Sequence, residues 1–329
     1  VVIAMALVAE PKLMLADEPT TALDAGIADV ILDIFKRINL KYGTSIILIS
    51  HDLEVISKIC GRALIMKDGR IEEEIGINDG FGEPASEYGM NLLKAAFADK
   101  SYVKEYITPP RPVVMRASGY NVFYKVRTGF LRRKNLKQVN FNINMEISRG
   151  DCVGLVGESG CGKTTFVKGV AGLQKITSGS MEVYGGKPAF VFQDPKSSLN
   201  PAKTVGWILD EQLKINTELT KAQRLDKIKQ VLKSVDLDDT LVERKVSDLS
   251  GGQRQRVSIA SSILLKHDLV ILDEPVSALD VTLREQILEL LMRLKEQYDL
   301  TFIIISHDKR LIARICNKIY YMKDGKIVV

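Results

Sequence analysis

Gly157-Glu158-Ser159-Gly160-Cys161-Gly162-Lys163-Thr164-Thr165 is the stretch that decides the fold. It has the form GxxxxGK[ST], with an apolar strand pattern before it (Cys152 to Val156) and a helical one after it (Phe166 to Ala171). Glycines let the backbone curl so that successive N–H groups converge on phosphate oxygens at a helix N-terminus. Lys163 is placed to lie across the β- and γ-phosphates of a nucleotide, and the Thr164 hydroxyl to ligate Mg²⁺. Strand, glycine loop and helix in this order predict an α/β fold of the P-loop NTPase kind, a parallel sheet covered by helices.

Working outward, a second apolar strand, Leu269 to Leu272, ends in Asp273-Glu274. A buried strand that delivers a carboxylate beside a phosphate loop supplies the second Mg²⁺-coordinating group, and Asp273 has that place. Glu274 is positioned to polarise an attacking water as general base. Antiparallel segments around Asn121 to Val126 and Val139 to Ile147 precede the loop. The basic run from Arg127 to Lys137 between them reads as a solvated connection.

The strand that ends in Asp273 belongs to a repeat. Residues 1–71 and 257–327 align at a constant offset of 256 without a gap, with about 27 of 71 pairs identical. Asp17-Glu18-Pro19 pairs with Asp273-Glu274-Pro275, Ala22-Leu23-Asp24 with Ala278-Leu279-Asp280, and Ser50-His51-Asp52 with Ser306-His307-Asp308. Met66-Lys67-Asp68-Gly69 pairs with Met322-Lys323-Asp324-Gly325, each a hairpin signal. The first copy reads as helix (Val1 to Val8), strand (Leu13 to Ala16), helix (Ala25 to Lys41), strand (Ser45 to Ile49), helix (Leu53 to Ile59) and a closing strand pair (Ala63 to Glu72). A further helix is expected from Glu87 to Phe97, and Thr108-Pro109-Pro110-Arg111-Pro112 marks a boundary.

Composition agrees with a globular chain. Its 329 residues are 46% hydrophobic and 26% charged, enough for two domains with substantial cores. A net charge of +5 gives no argument for nucleic acid or an anionic membrane. The longest apolar runs fall far short of the ~18 residues of a spanning helix. Four cysteines, Cys60, Cys152, Cys161 and Cys316, stand in no metal-type CxxC and read as reduced thiols acting as small apolar residues.

Leu249-Ser250-Gly251-Gly252-Gln253 lies between the phosphate loop and Asp273. Here the chain resembles the ATP-binding cassette (ABC) ATPases, whose signature motif is LSGGQ. The resemblance covers residues 1–71 and about 117–329. It implies a tandem of RecA-like cores with antiparallel and helical subdomains, ATP and Mg²⁺ as cofactors, and ATP hydrolysis. It further implies that Gln193 contacts Mg²⁺ and senses a transmembrane partner, and that Asp280 lies in a dimer-interface loop. His307 would contact the γ-phosphate, and Tyr124 would stack on adenine. Ser250 with the N–H groups around Gly251 and Gly252, at the helix opened by Gln253, would close over ATP held by an opposing cassette in a head-to-tail dimer.

Phe192-Gln193-Asp194-Pro195-Lys196-Ser197-Ser198-Leu199-Asn200-Pro201 is similar to the ATPase subunits of oligopeptide, dipeptide and nickel importers. The segment Glu87 to Lys94 is similar to the tail that follows the cassette there, although the span from Gly179 to Gln193 is shorter than usual for that group. This resemblance implies transmembrane permease subunits as partners, engaged through the Q-loop region, and a cytoplasmic location peripheral to the inner face of the plasma membrane. Neither direct contact with the solute nor nucleic acid is expected. The competing class is a soluble tandem ABC ATPase of translation, repair or enzyme activation. The short, Pro-containing linker disfavours it, since ribosomal members carry long charged helical linkers.

The expected organisation is therefore the C-terminal part of a first cassette at 1–72, a linker at 73–112, and a complete second cassette at 113–329. Asp17, Glu18, Asp24 and His51 are the first cassette's Mg²⁺, base, interface-loop and switch residues. The same offset would place that cassette's phosphate-loop lysine at position −93. The expectation is that roughly 130–170 residues precede Val1.

Overall fold

The computed structural model describes residues 2–20, 23, 25–78, 80–97, 111–128, 133–192, 198–277 and 279–328. Of the expected site residues, Asp24 and Gln193 lie outside these, as do the tip of the basic segment and most of the proline-containing boundary. The chain divides into two compact units, residues 1–99 with 280–285, and residues 100–279 with 286–329. Among the described residues no helix is long and apolar enough to cross a membrane.

The first unit runs α1 (Val2–Leu7), β1 (Leu13–Asp17), α2 (Ala25–Tyr42), β2 (Ser45–Ile49), α3 (Leu53–Ile59), β3 (Arg62–Lys67), β4 (Arg70–Gly76) and α4 (Glu87–Phe97). β1 and β2 pair in parallel, whereas β3 and β4 form a separate antiparallel hairpin with a register shift between Ile65 and Met66. Strand β4 runs four residues past the expected end at Glu72, because the hairpin pairs Arg62 with Gly76. Phe35 and Ile38 of α2 pack on Met14 and Ala16, the alternate residues of β1 that point to that face.

The second unit holds β5 (Val113–Thr128), β6 (Arg133–Ser148), β7 (Cys152–Val156), α5 (Lys163–Val170), β8 (Ser178–Val183) and β9 (Ala189–Val191). It continues with α6 (Val205–Asn216), α7 (Lys221–Ser234), α8 (Gly251–Ile263), β10 (Leu269–Asp273), α9 (Val281–Tyr298, in this unit from residue 286 onward) and β11 (Thr301–Ile305). It closes with α10 (Lys309–Ile315), β12 (Lys318–Lys323) and β13 (Lys326–Val328). A six-stranded sheet has the order β13-β12-β7-β11-β10-β9, parallel except for the β12–β13 edge hairpin, and β6-β5-β8 form an antiparallel sheet. β5 and β6 are much longer than expected. Part of the segment read as a basic loop is strand, since Thr128 pairs with Arg133.

Buried parallel strands carry apolar residues on both faces. All five residues of β7, β10 and β11 are buried. Phe166, Val167 and Val170 of α5 pack with Leu269, Ile271, Ile303 and Ile305 and with Met115, Val122 and Ile147 of the antiparallel sheet. Each such side chain contributes ~1.5–3 kcal/mol by leaving water.

The repeat is structural as well as sequential. β1 pairs with β2 from Leu13↔Ser45 to Asp17↔Ile49, and β10 with β11 from Leu269↔Thr301 to Asp273↔Ile305, so the offset of 256 holds for both members of each pair. Burial breaks the equivalence. Leu15 is 70% exposed, whereas its counterpart Ile271 is 0% exposed beneath the α5 core. In the second unit β7 lies between β11 and β12 and joins them, while the corresponding pairs in the first unit remain two sheets.

Candidate functional site

β7 delivers the glycine loop at the carboxyl end of the central sheet, the end where open α/β sheets bind ligands. Its glycines are there for space. A Cβ on Gly157 would stand 2.2 Å from the Met322 carbonyl oxygen, and one on Gly162 would stand 2.8 Å from the Val139 carbonyl oxygen. Gly160 and Gly162 also adopt left-handed φ of 80° and 107°. Helix α5 begins at Lys163, three residues earlier than the apolar pattern indicated, with Gly162 at its N-cap. The N–H groups of the first turn therefore open onto the loop. Val139, Gly160, Gly162, Lys163, Thr164 and Thr165 line a small cleft there.

Lys163 is buried at 7% exposure, and its Nζ donates to the carbonyl oxygens of Gly157 (2.7 Å) and Glu158 (2.9 Å). The ammonium is thus held inside the loop, where its charge stays uncancelled by any carboxylate in these bonds. The Cys161 amide donates to the Glu158 carbonyl at 3.3 Å, closing the turn that carries exposed Ser159.

Asp273 and Glu274 arrive from β10. Asp273 is 8% exposed, and burial, followed by the charge of Glu274, raises its pKa. Lys168, Lys163 and a hydrogen bond with Thr164 act against that rise. Two of the three expected Mg²⁺ contacts, Thr164 and Asp273, are therefore near one another. They fit the ion: Mg²⁺ takes one or two protein oxygens and completes its octahedron with phosphate and water. No cluster of three His, Cys, Asp or Glu side chains forms an all-protein cage among the described residues.

Burial works against the charge of Glu274, but His307, Ser277 and Lys163 outweigh it and hold the pKa below the ordinary value. The His307 Nδ1 lies 3.2 Å from Glu274 Oε1. Glu274 adopts φ 47°, a left-handed conformation that costs a non-glycine residue ~1–2 kcal/mol. Its amide donates to the Ile305 carbonyl at 3.0 Å, which fixes the acid beside the end of β11.

Tyr124, 37% exposed on β5, reaches the loop: its hydroxyl donates to Gln174 Oε1 at 3.0 Å and lies 3.5 Å from Thr165 Oγ1. Gln174 escaped the sequence reading, since nothing in its local pattern marks it. Ser250 N-caps α8 with Gln253 at N3 in a reciprocal capping box, Gln253 N–H to Ser250 Oγ at 3.2 Å and Ser250 N–H to Gln253 Oε1 at 3.0 Å. Gly251 and Gly252 occupy the first turn, with open space around Gly251. Asp280 accepts the Leu283 amide at 2.9 Å and opens α9.

The first unit repeats the acid–histidine geometry. Glu18 Oε1 accepts the His51 amide at 3.0 Å and lies 2.8 Å from His51 Nδ1, and Glu18 adopts φ 45°. Asp17 ends β1 as Asp273 ends β10.

A central strand opening into a glycine loop, a buried lysine, a buried carboxylate from a neighbouring strand and an acid–histidine pair define a P-loop nucleotide site. Residues 141–277 match the family model described as ABC transporter. The matched segment is an ATPase domain of that family. It is 36% identical to the peptidoglycan transport ATP-binding protein YejF of Agrobacterium fabrum, over all of this chain and 62% of that protein. It is 32% identical to the glutathione import ATP-binding protein GsiA of Pectobacterium atrosepticum, over all of this chain and 59% of that protein. The chain thus spans about three fifths of these relatives. Among solved structures, a dimeric ATP-binding cassette, MJ0796, bound to ADP and phosphate after hydrolysis, is 27% identical with a TM-score of 0.57, covering 65% of this chain and 97% of that one.

Proposed function

We propose that this chain binds MgATP in its second unit and hydrolyses it to energise a membrane importer of peptide-class solutes. The carrying observation is the convergence of Lys163, buried Asp273 and the Glu274–His307 pair beside one loop, in a domain that also presents a capped LSGGQ helix. Lys163 and the α5 N-terminus take the phosphates. Thr164 and Asp273 hold Mg²⁺, which neutralises charge on the phosphate oxygens when bound. Glu274, kept ionised, accepts a proton from the attacking water, and His307 fixes the carboxylate's orientation. Tyr124 supports the adenine face, and the family resemblance implies Gln193 as a further Mg²⁺ contact.

The capped helix at Ser250 to Gln253, with Gly251 and Gly252 in its first turn, suits the phosphate of a nucleotide on a second cassette. A head-to-tail pairing with Asp280 at the seam follows from this reading. Residues 1–72 read as the matching part of another cassette, with 73–112 as linker and 113–329 as the whole domain. Peptide-class import is supported by the names of the YejF and GsiA relatives, and on that reading the chain would act on permease subunits at the cytoplasmic face of a membrane.

The test is phosphate release by the purified chain beside two variants. Lys163→Ala loses MgATP binding, and Glu274→Gln keeps binding while turnover falls about a hundredfold or more. Equal ATP affinity in Lys163→Ala and the parent refutes the site. Co-expression with the permease subunits of a peptide-class importer, followed by membrane fractionation, tests the transport role. A chain that stays in the soluble fraction there favours a soluble ATPase.

A further inference from the structure

The phosphate loop is held from behind by two elements outside the motif. When a loop turns its N–H groups towards a ligand, its carbonyls point the other way and need partners of their own. In a planar trans peptide, the carbonyl of one residue and the N–H of the next point in opposite directions. Fixing the carbonyls of Cys161 and Gly162 therefore aims the N–H groups of Gly162 and Lys163.

Both carbonyls are fixed. The Cys161 carbonyl accepts the Gly325 amide at 2.9 Å, and the Gly325 carbonyl accepts the Phe141 amide at 2.8 Å, so the β12–β13 turn is stitched between the loop and β6. The Gly162 carbonyl accepts Asn140 Nδ2 at 3.2 Å in addition to the helical bond from the Phe166 amide at 3.0 Å. Asn140 is 0% exposed, and its Oδ1 is buried without a partner among the described residues. Among the described residues its amide group is used as a donor, to the loop alone. Gly162 and Gly325 also crowd one oxygen: a Cβ on either would stand 2.8 Å or 2.1 Å from the Val139 carbonyl oxygen.

We infer that Asn140 and the Asp324-Gly325 turn form a brace that sets the phosphate-facing N–H groups of Gly162 and Lys163, making Asn140 and Gly325 positioning residues for the nucleotide's phosphates. The inference rests on the nucleotide-site reading above. The repeat supplies an internal control. Gly69 has the same φ of 76° as Gly325, in a turn of the same sequence, but a Cβ there meets nothing within 4 Å.

The experiment is titration of the full chain with trinitrophenyl-ATP and Mg²⁺, and in parallel with trinitrophenyl-adenosine, which has no phosphate. Asn140→Asp keeps the side chain's shape but replaces its donor with a carboxylate facing the Gly162 carbonyl. Asn140→Asp and Gly325→Ala each weaken trinitrophenyl-ATP binding about tenfold or more, the scale of one lost strong hydrogen bond, with trinitrophenyl-adenosine within about twofold of the parent. Gly69→Ala leaves both affinities at the parent's values. Parent-like trinitrophenyl-ATP binding in Asn140→Asp or Gly325→Ala overturns the brace. So does an equal loss for the adenosine probe, or an equal loss in Gly69→Ala. If Asn140→Asp does not fold, Asn140→Ser and Gly325→Ala decide by the same comparison. A parent chain that fails to bind trinitrophenyl-ATP overturns the nucleotide-site reading itself.

Discussion

Asp273 shows how the site sets metal binding against stability. Burial lifts its pKa above the unfolded value, so the fold favours the protonated carboxyl. That stabilisation is present below the unfolded pKa and is lost as pH rises through the folded one, which leaves a buried anion above it. Asp273→Asn should therefore raise the melting temperature of the nucleotide-free, Mg²⁺-free chain at pH 8. Its advantage over the parent should shrink as pH falls through the raised pKa, and thermal melts across pH read this directly. The same variant should lose Mg²⁺-dependent turnover. A melting temperature at or below the parent's at pH 8 would mean that the carboxylate's attraction to Lys163 outweighs its burial.

At the scale of elements, the helix beginning at Gly251 separates two roles of one hydroxyl. As an N-cap, Ser250 contributes about 1 kcal/mol relative to Ala, but only a few tenths relative to Gly. Urea unfolding of Ser250→Ala and Ser250→Gly should reproduce that difference. If the hydroxyl also binds phosphate across a dimer, both variants lose turnover equally in spite of their different stabilities. Turnover that tracks stability instead would reduce Ser250 to a cap. How far elements were legible in the sequence follows from the range of their contacts. β7, β10 and β11 are short apolar runs and could be read locally, as could the loop, since its chemistry is contiguous. The true lengths of β5 and β6 were not legible, because they come from pairing with each other and with β8 through several register shifts. Asn140 and Gln174 were invisible for the same reason. Each matters through a partner 22 or 50 residues away, to which no local pattern points.

For the whole molecule, the prediction concerns concentration. Within the proposed head-to-tail arrangement, each nucleotide needs the phosphate loop of one cassette and the Ser250 helix of another. Specific activity of the purified chain should then rise with protein concentration as copies pair through their second units. Phosphate release per mole of chain, measured over a hundredfold dilution series, checks this. A flat profile would show that a single copy turns over unaided. The repeat was the most legible large-scale property, since an ungapped offset survives as identical strand registers. Burial was not legible: Leu15 and Ile271 look alike in sequence, and only the packing of α5 tells them apart.

The left-handed backbone at Glu18 and Glu274 has a historical consequence. A position at φ near 45° favours glycine or asparagine, so an unselected copy drifting under stability alone should have shed glutamate there. Both modules still carry it, each facing its own histidine. The strained conformation thus works as a fossil record. On the tandem reading proposed above, it marks the first module as kin to the second, where that carboxylate is worth its conformational cost.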